Sequence, residues 1–101
     1  MTLEEFRESL VREEPPRELE IALAALWWDA KGNWKQAHDV AARDEGLAAA
    51  WVHAYLHRKE GDASNANYWY TRADKSPSQA PLEEEWSVIV ESLLAGGEPE
   101  C

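Results

Sequence analysis

The stretch that decides the fold is residues 53–73, HAYLHRKEGDASNANYWYTRA. Two histidines lie four residues apart, a Gly-Asp pair follows, and alanines then occur among aromatic residues. A glycine just past a run of helix-forming residues ends a helix, and an aspartate beside it can cap the next one. The stretch therefore predicts two helices that meet at Gly61-Asp62 and form a hairpin.

The same turn occurs earlier in the chain. Gly32-Asn33 and Gly61-Asp62 are 29 residues apart, and Ala37 and Ala66 each lie four residues after the capping position. Small residues at fixed offsets let the two helices of a hairpin approach closely, and the neighbouring aromatic residues fill the space beside them. Self-similarity at a fixed period of this length is typical of a helical repeat.

In its second unit this pattern resembles a tetratricopeptide (TPR) repeat. The resemblance is carried by Ala54, Gly61-Asp62, Ala66, Tyr70, Ala73 and Pro77, and the run ANYWYTRA is also similar to the related Sel1-like repeats. The first unit matches at Ala25, Trp28, Gly32, Trp34 and Ala37, but it has Ala41 and Asp44 at the later positions and no closing proline. The period is also shorter than the usual one of about 34 residues. The resemblance covers about 18–78 and implies a small bacterial TPR-like protein.

Apolar spacing, capping residues, glycines and prolines together predict an all-α chain. Six helices are expected at about 2–14, 17–31, 33–44, 47–60, 62–73 and 81–97, and no alternating run is long enough for a strand. We predict a single domain over 1–97, with about two TPR-like antiparallel helical hairpins and flanking N- and C-terminal helices. Residues 98–101 are expected to form a disordered tail.

The formal net charge is −10, and the two ends of the chain carry it. Residues 1–20 and 83–101 are acidic, whereas the middle of the chain is neutral. Such a chain repels phosphate backbones, so nucleic-acid binding is not expected. The one cysteine, Cys101, allows no internal disulfide, and the N-terminus has no apolar leader. The sequence therefore predicts a cytoplasmic protein that does not enter a membrane.

The TPR resemblance implies a binding groove on the first helix of each hairpin. It places partner contacts at Leu26, Asp29, Trp51, Tyr55, Arg58 and Lys59. Two aromatic residues followed by two cations suit a protein or peptide segment that has an apolar side chain and a carboxylate. The opposing interpretation is that Trp51 and Tyr55 pack under the last helix. We predict a non-catalytic binding module that uses its concave face, with no cofactor.

The histidines support a different interpretation. His53 and His57 lie on one face of a helix, and such a pair can supply two ligands of a zinc site. His38 is the only other histidine, and no metal-binding motif completes the set. We therefore predict no metal, with both rings partly buried beside Asn65 or Tyr68. A small metal-dependent or enzymatic protein that uses the His53/His57 face remains the alternative.

Three further features complete the sequence-based expectations. The triplet Glu83-Glu84-Glu85 is expected to be a solvated helix start, because acids are favoured in a first turn. No serine has a nucleophile-elbow context, and no base is expected to be held against Cys101 at the end of the predicted tail, so catalysis is the less favoured class. Self-association into a homo-oligomer is a further alternative, because a short helical array leaves end faces that need cover.

Overall fold

The computed structural model describes residues 1–96, and all regular secondary structure in that range is helical, which confirms the predicted all-α class. The elements are α1 (Leu3–Glu8) with a 3₁₀ turn (Ser9–Val11), α2 (Ile21–Ala30), α3 (Trp34–Ala41), α4 (Leu47–Lys59), α5 (Ala63–Arg72) and α6 (Leu82–Gly96). The predicted tail at 98–101 lies outside the described residues. None of the helices in the described part is long and apolar enough to cross a membrane.

The two predicted turns have the same geometry. Gly32 and Gly61 have φ angles of 85° and 90°. The N–H of Asn33 donates to the Trp28 carbonyl, and the N–H of Asp62 donates to the His57 carbonyl, as in a Schellman motif. The side chains of Asn33 and Asp62 then accept from the backbone three residues later, and so cap α3 and α5. Each turn therefore ends one helix and starts the next with three residues between them.

A glycine-to-alanine change tests whether the turn depends on positive φ. Gly61→Ala is expected to lower the free energy of unfolding by about 1–2 kcal/mol, because alanine is strained at positive φ. Nothing lies within 4 Å of the added methyl group, so the loss reports backbone strain alone. The matched control is Gly96→Ala. Nothing lies within 4 Å of a methyl group added at Gly96 either, but this residue is part of α6, where alanine should leave the free energy of unfolding unchanged or raise it slightly. Urea denaturation measures both, and equal effects would contradict the strain argument.

The first two helices are shorter than predicted. α1 ends at Glu8 rather than at 14, and α2 starts at Ile21 rather than at 17. The Lys31 ammonium donates to the carbonyl oxygens of Leu10 and Arg12 at 2.7 and 2.8 Å. In a longer α1 these two carbonyl oxygens would instead accept hydrogen bonds from backbone N–H groups of the same helix. A long-range contact therefore replaces the local helix that the sequence favours.

The segment between α1 and α2 turns instead of continuing as helix. The N–H of Leu19 donates to the Pro16 carbonyl at 3.3 Å, and Glu20 has an extended backbone before the first residue of α2. α3 also ends early, at Ala41 rather than at 44. There the Asp44 carboxylate accepts from the N–H of Gly46 and forms part of the connection to α4.

α4 is the central helix of the fold. All ten residues from 48 to 57 are buried, and the helix contacts α2, α3, α5 and α6. α2 pairs with α3, and α4 pairs with α5, as the hairpin turns require. α6 then packs across α2 and α4 and buries Ile89, Val90 and Leu93. The face that the two hairpins would otherwise expose is therefore covered by the chain itself.

Candidate functional site

The three apolar or aromatic residues among the six predicted groove residues are almost fully buried within the fold. Leu26, Trp51 and Tyr55 are 0%, 7% and 2% exposed. The indole N–H of Trp86 on α6 donates to the Leu26 carbonyl at 3.1 Å, and the Lys75 ammonium lies 4.4 Å from the centre of the Trp51 ring. Leu26 is therefore part of the packing of this chain, and Trp51 is buried but borders a small cavity of about 140 Å³ beside Lys75.

Arg58 is bonded within the chain. One of its guanidinium nitrogens donates to the Glu85 carboxylate at 2.7 Å, and another donates to the carbonyl oxygen of Ala80. The Tyr70 hydroxyl donates to the other Glu85 oxygen at 2.5 Å. Burial first, and then this hydrogen bond, raise the pKa of Tyr70 above the usual tyrosine range. The network joins α4, α5 and α6 through one carboxylate.

The predicted solvated triplet of glutamates needs a correction at this point. Glu83 and Glu84 are exposed, but Glu85 is buried, with 4% of its surface exposed. Its hydrogen-bond partners Tyr70 and Arg58 lie 15 and 27 residues earlier in the chain, so the sequence around Glu85 gives no indication of them. A carboxylate buried with two charged or polar donors is compatible with the interior because both of its oxygens accept hydrogen bonds.

Asp29 and Lys59 form a second ion pair on this face. The Lys59 ammonium donates to one Asp29 oxygen at 2.9 Å, and the Tyr55 hydroxyl donates to the other at 3.0 Å. Burial raises the pKa of Tyr55, and the Asp29 charge adds to that effect. Asp29 is 3% exposed, whereas the Lys59 side chain is 39% exposed and reaches solvent.

An open cleft remains beside this pair. It has a volume of about 480 Å³ and is lined by Arg7, Leu10, Asp29, Ala30, Tyr55, Lys59, Glu83 and Trp86. Three of the six predicted contact residues, Asp29, Tyr55 and Lys59, therefore line open space, whereas Leu26, Trp51 and Arg58 do not line this cleft. Partner binding through any of them stays a prediction.

Arg7 was not predicted as a site residue. It is an exposed residue of α1, its guanidinium donates to the Ser87 hydroxyl at 2.8 Å, and it lies 5.7 Å from the centre of the Trp86 ring. Ser87 on α6 is 80 positions away in the chain, so no local pattern could have indicated the contact. Docking of α1 on α6 thus adds a cation to a cleft that sequence reasoning located only in part.

A separate cluster brings all three histidines together on the other side of α4. His38 comes from α3, and His53 and His57 come from consecutive turns of α4. One ring nitrogen of each lies within 4.8 Å of the others. The His38 ring is 4.8 Å from the His53 ring and 5.1 Å from the His57 ring, centre to centre. Packing of α3 against α4 places His38 beside the α4 pair, although the sequence alone did not show that the rings meet.

The histidine rings are packed between tryptophans. His53 stacks on Trp69 with ring centres 4.1 Å apart, and His38 stacks on Trp34 at 5.1 Å. Burial, with smaller contributions from the two neighbouring histidines and Arg72, lowers the pKa of His53 to about 4. Burial also lowers the pKa of His38. Both imidazoles are consequently neutral at pH 7.

His57 is held by a carboxylate. Its Nδ1 lies 2.6 Å from a Glu60 oxygen, and its Nε2 lies 3.5 Å from the Asn65 amide nitrogen. The expected contact with Asn65 is therefore present but long, and Tyr68 instead accepts from Arg72. The Nδ1 atom of His53 is buried and has no hydrogen-bond partner among the described residues.

A cavity of about 650 Å³ lies over this cluster. Its lining combines the three histidines with polar and charged groups, namely His38, Ala42, Asp44, Glu45, His53, His57, Asn65, Tyr68, Trp69 and Arg72. Histidine, asparagine and tyrosine side chains around one cavity favour the metal-dependent or enzymatic alternative, whereas the burial of His53 and His57 counts against it.

Self-association has little structural support in the described part of the chain. Its exposed large apolar residues are Met1, Val11, Tyr68 and Val88, which lie on four different segments. Neither α1 nor α6 presents an apolar stripe: α6 carries one of these four exposed residues, Val88, and α1 carries none of them. Single exposed apolar residues of this kind are normal on a monomer surface.

Fold and site together define an all-helical protein with an open cleft of mixed polar and apolar lining on one side of α4 and a histidine cluster on the other. Comparisons with models of known protein families, with curated proteins and with solved structures found no match. The functional assignment therefore rests on the geometry and chemistry of these two places.

Proposed function

We propose that this chain is a non-catalytic TPR-like module that binds a protein or peptide segment with a carboxylate at the open part of its concave face. The observation that carries the proposal is the Arg7 guanidinium at the rim of the cleft. No carboxylate among residues 1–96 lies within salt-bridge distance of it. An exposed arginine beside apolar and aromatic surface is among the side chains that contribute most to protein interfaces.

Apart from the carboxylate of Glu83, the rest of the cleft complements such a segment. Lys59 adds a second cation, whose ammonium group is bonded to Asp29, while Leu10, Ala30 and Trp86 offer apolar surface. The volume of about 480 Å³ is within the usual range for ligand sites and accepts one or two side chains. A carboxylate can bind Arg7 through two parallel hydrogen bonds, and an adjacent apolar side chain can lie against Trp86.

The contacts of α6 provide an example of the same chemistry within the chain. Its consecutive residues Glu85 and Trp86 place an acid on Arg58 and Tyr70 and an indole on the Leu26 carbonyl. The concave face thus already binds an acid next to an aromatic residue. A partner segment of similar composition would extend this pattern into the open cleft.

Selection from a library of random short peptides tests the proposal. Peptides retained by the immobilised wild-type protein are counter-selected against Arg7→Glu, and the affinity of each surviving peptide is measured for both proteins. We expect acidic peptides with an apolar neighbour, and a loss of affinity of about 10- to 100-fold in Arg7→Glu, because a charge-assisted hydrogen bond is worth about 1.5–3 kcal/mol.

Arg17→Glu is the matched control, since Arg17 is also exposed but does not line the cleft. It makes the same change in net charge and is expected to leave the affinity unchanged. Amidated peptides and peptides with Asn or Gln in place of the acid distinguish a terminal carboxylate from a side-chain carboxylate. Failure to enrich any peptide, or equal binding by wild type and Arg7→Glu, would reject the cleft as the site.

A further inference from the structure

The histidine cluster has the composition of a metal site. Three neutral imidazoles are a common ligand set for Zn²⁺ in sites that keep one coordination position open. His38, His53 and His57 converge from two helices, with one ring nitrogen from each within 4.8 Å of the others. Aromatic packing on Trp34 and Trp69 accounts for the burial of two rings, but it does not require three imidazole nitrogens to meet.

Two details at the ring nitrogens favour a metal over simple packing. The carboxylate of Glu60 must accept, so Nδ1 of His57 donates the 2.6 Å bond, and Nε2, 3.5 Å from the Asn65 amide nitrogen, is the ring nitrogen left to bind an ion. A carboxylate behind a histidine is the usual arrangement at zinc, because it fixes the ring and makes the imidazole more basic. His53, 4% exposed, has a buried Nδ1 with no partner in the described chain, and such a group is rare in folded proteins.

We propose that His38, His53 and His57 bind one divalent transition-metal ion of the zinc class, with a fourth position open to the 650 Å³ cavity. Imidazole nitrogens favour Zn²⁺, Cu²⁺ and Ni²⁺ over the hard cations Mg²⁺ and Ca²⁺. The fourth ligand is water or a small anion, for which Arg72 in the cavity lining supplies a nearby positive charge. This site is independent of the cleft that contains Arg7.

The movement needed to bind the ion is small. Zinc–nitrogen bonds of about 2.0–2.1 Å place tetrahedral ligand atoms about 3.3 Å apart, so nitrogens at 4.8 Å must approach by up to about 1.5 Å. His38 is only half-buried, and rotation of its side chain can supply most of that movement. His53 is held against Trp69 and His57 against Glu60, so two of the three ligands are already positioned.

Metal titration of the untagged protein tests the site. The protein is prepared in a Cys101→Ser background, because a thiol is itself a zinc ligand, and is freed of metal with a chelator. Calorimetric titration with Zn²⁺ at neutral pH is expected to give one ion per chain, whereas Mg²⁺ gives no binding. Co²⁺ is expected to produce the intense visible bands of four-coordinate geometry, which a six-coordinate surface site does not give.

Four variants locate the ion. His53→Phe keeps an aromatic ring against Trp69 and should fold, but it removes both ring nitrogens and is expected to abolish stoichiometric binding. His38→Gln, at a half-buried position, is expected to weaken Zn²⁺ binding by more than about 100-fold, and Glu60→Gln by about 10- to 100-fold. Tyr68→Phe, in the same cavity but without a proposed ligand, is the control and should bind as the wild type does.

Two results would overturn the three-histidine site. The first is the absence of saturable Zn²⁺ binding in the wild type, or equal binding by wild type and His53→Phe. The second is binding that survives His38→Gln but is lost with Asp62→Asn, because it would move the ion to His57, Glu60 and Asp62, the other set of nearby donors. None of these measurements uses a peptide, so their result is separate from that for the cleft.

Discussion

Trp27→Ala is expected to lower the free energy of unfolding by about 4 kcal/mol, within the 3–5 kcal/mol typical of a buried large aromatic residue. The Trp27 side chain is fully buried, and its indole N–H donates to the Ser9 hydroxyl at 3.1 Å. Its ring also packs edge-on against Trp28 and lies 5.3 Å from the Lys31 ammonium. Removing it leaves a cavity where α2 meets the N-terminal segment.

Chemical denaturation followed by circular dichroism measures this loss. A loss of about 4 kcal/mol is a large fraction of the 5–15 kcal/mol by which an ordinary domain is stable, so the denaturant concentration at the unfolding midpoint should fall strongly. The control is Tyr68→Ala, also an aromatic deletion but at a side chain that is 53% exposed, and its effect should stay below about 1 kcal/mol. A Trp27→Ala loss as small as that of Tyr68→Ala would contradict the packing described for α2.

Glu85→Ala is expected to cost about 3 kcal/mol of stability. The change leaves the Arg58 guanidinium and the buried Tyr70 hydroxyl without their acceptor, and removing one partner of a buried ion pair typically costs about 3–5 kcal/mol. We place the effect at the lower end because the Arg58 side chain is 24% exposed and can regain some hydration. Denaturation in urea at neutral pH is the measurement.

Two neighbouring substitutions make this result specific. Glu84→Ala changes the preceding residue, which is exposed, and should alter stability by no more than about 0.5 kcal/mol. Glu85→Gln keeps an acceptor for Tyr70 but removes the charge opposite Arg58, so its loss should fall between the other two. Equal stability of the Glu84 and Glu85 alanine variants would show that the network linking α4, α5 and α6 contributes nothing.

The contacts of α6 also limit where a partner can bind on α2 and α4. α6 buries Ile89, Val90 and Leu93 in the common core, and Trp86 is bonded to the backbone of α2. A helix with these contacts belongs to the folded domain, and a partner that displaced it would have to replace all of them. This is why the proposed binding function is confined to the cleft beside Lys59 and Arg7 and does not include the surface around Trp51.

The sequence by itself determined the two glycine turns and the helices that they join, because those depend on residues within about four positions of one another; the end of α1 depends on contacts with the distant Lys31. The positive φ of Gly61 and the capping by Asp62 are local events, and the structure has them where the sequence predicts them. The same signals occur at Gly32 and Asn33. The all-α class and the pairing of adjacent helices follow from these short-range preferences.

Tertiary structure alone decided which of several chemically similar residues are buried and which side chains meet. Glu85 is buried while Glu84 is exposed, because only Glu85 faces Arg58 and Tyr70 across the fold. His38 reaches the two histidines of α4 only because α3 packs against that helix. Burial and side-chain convergence depend on contacts between residues far apart in the chain, for which a single sequence carries no local signal.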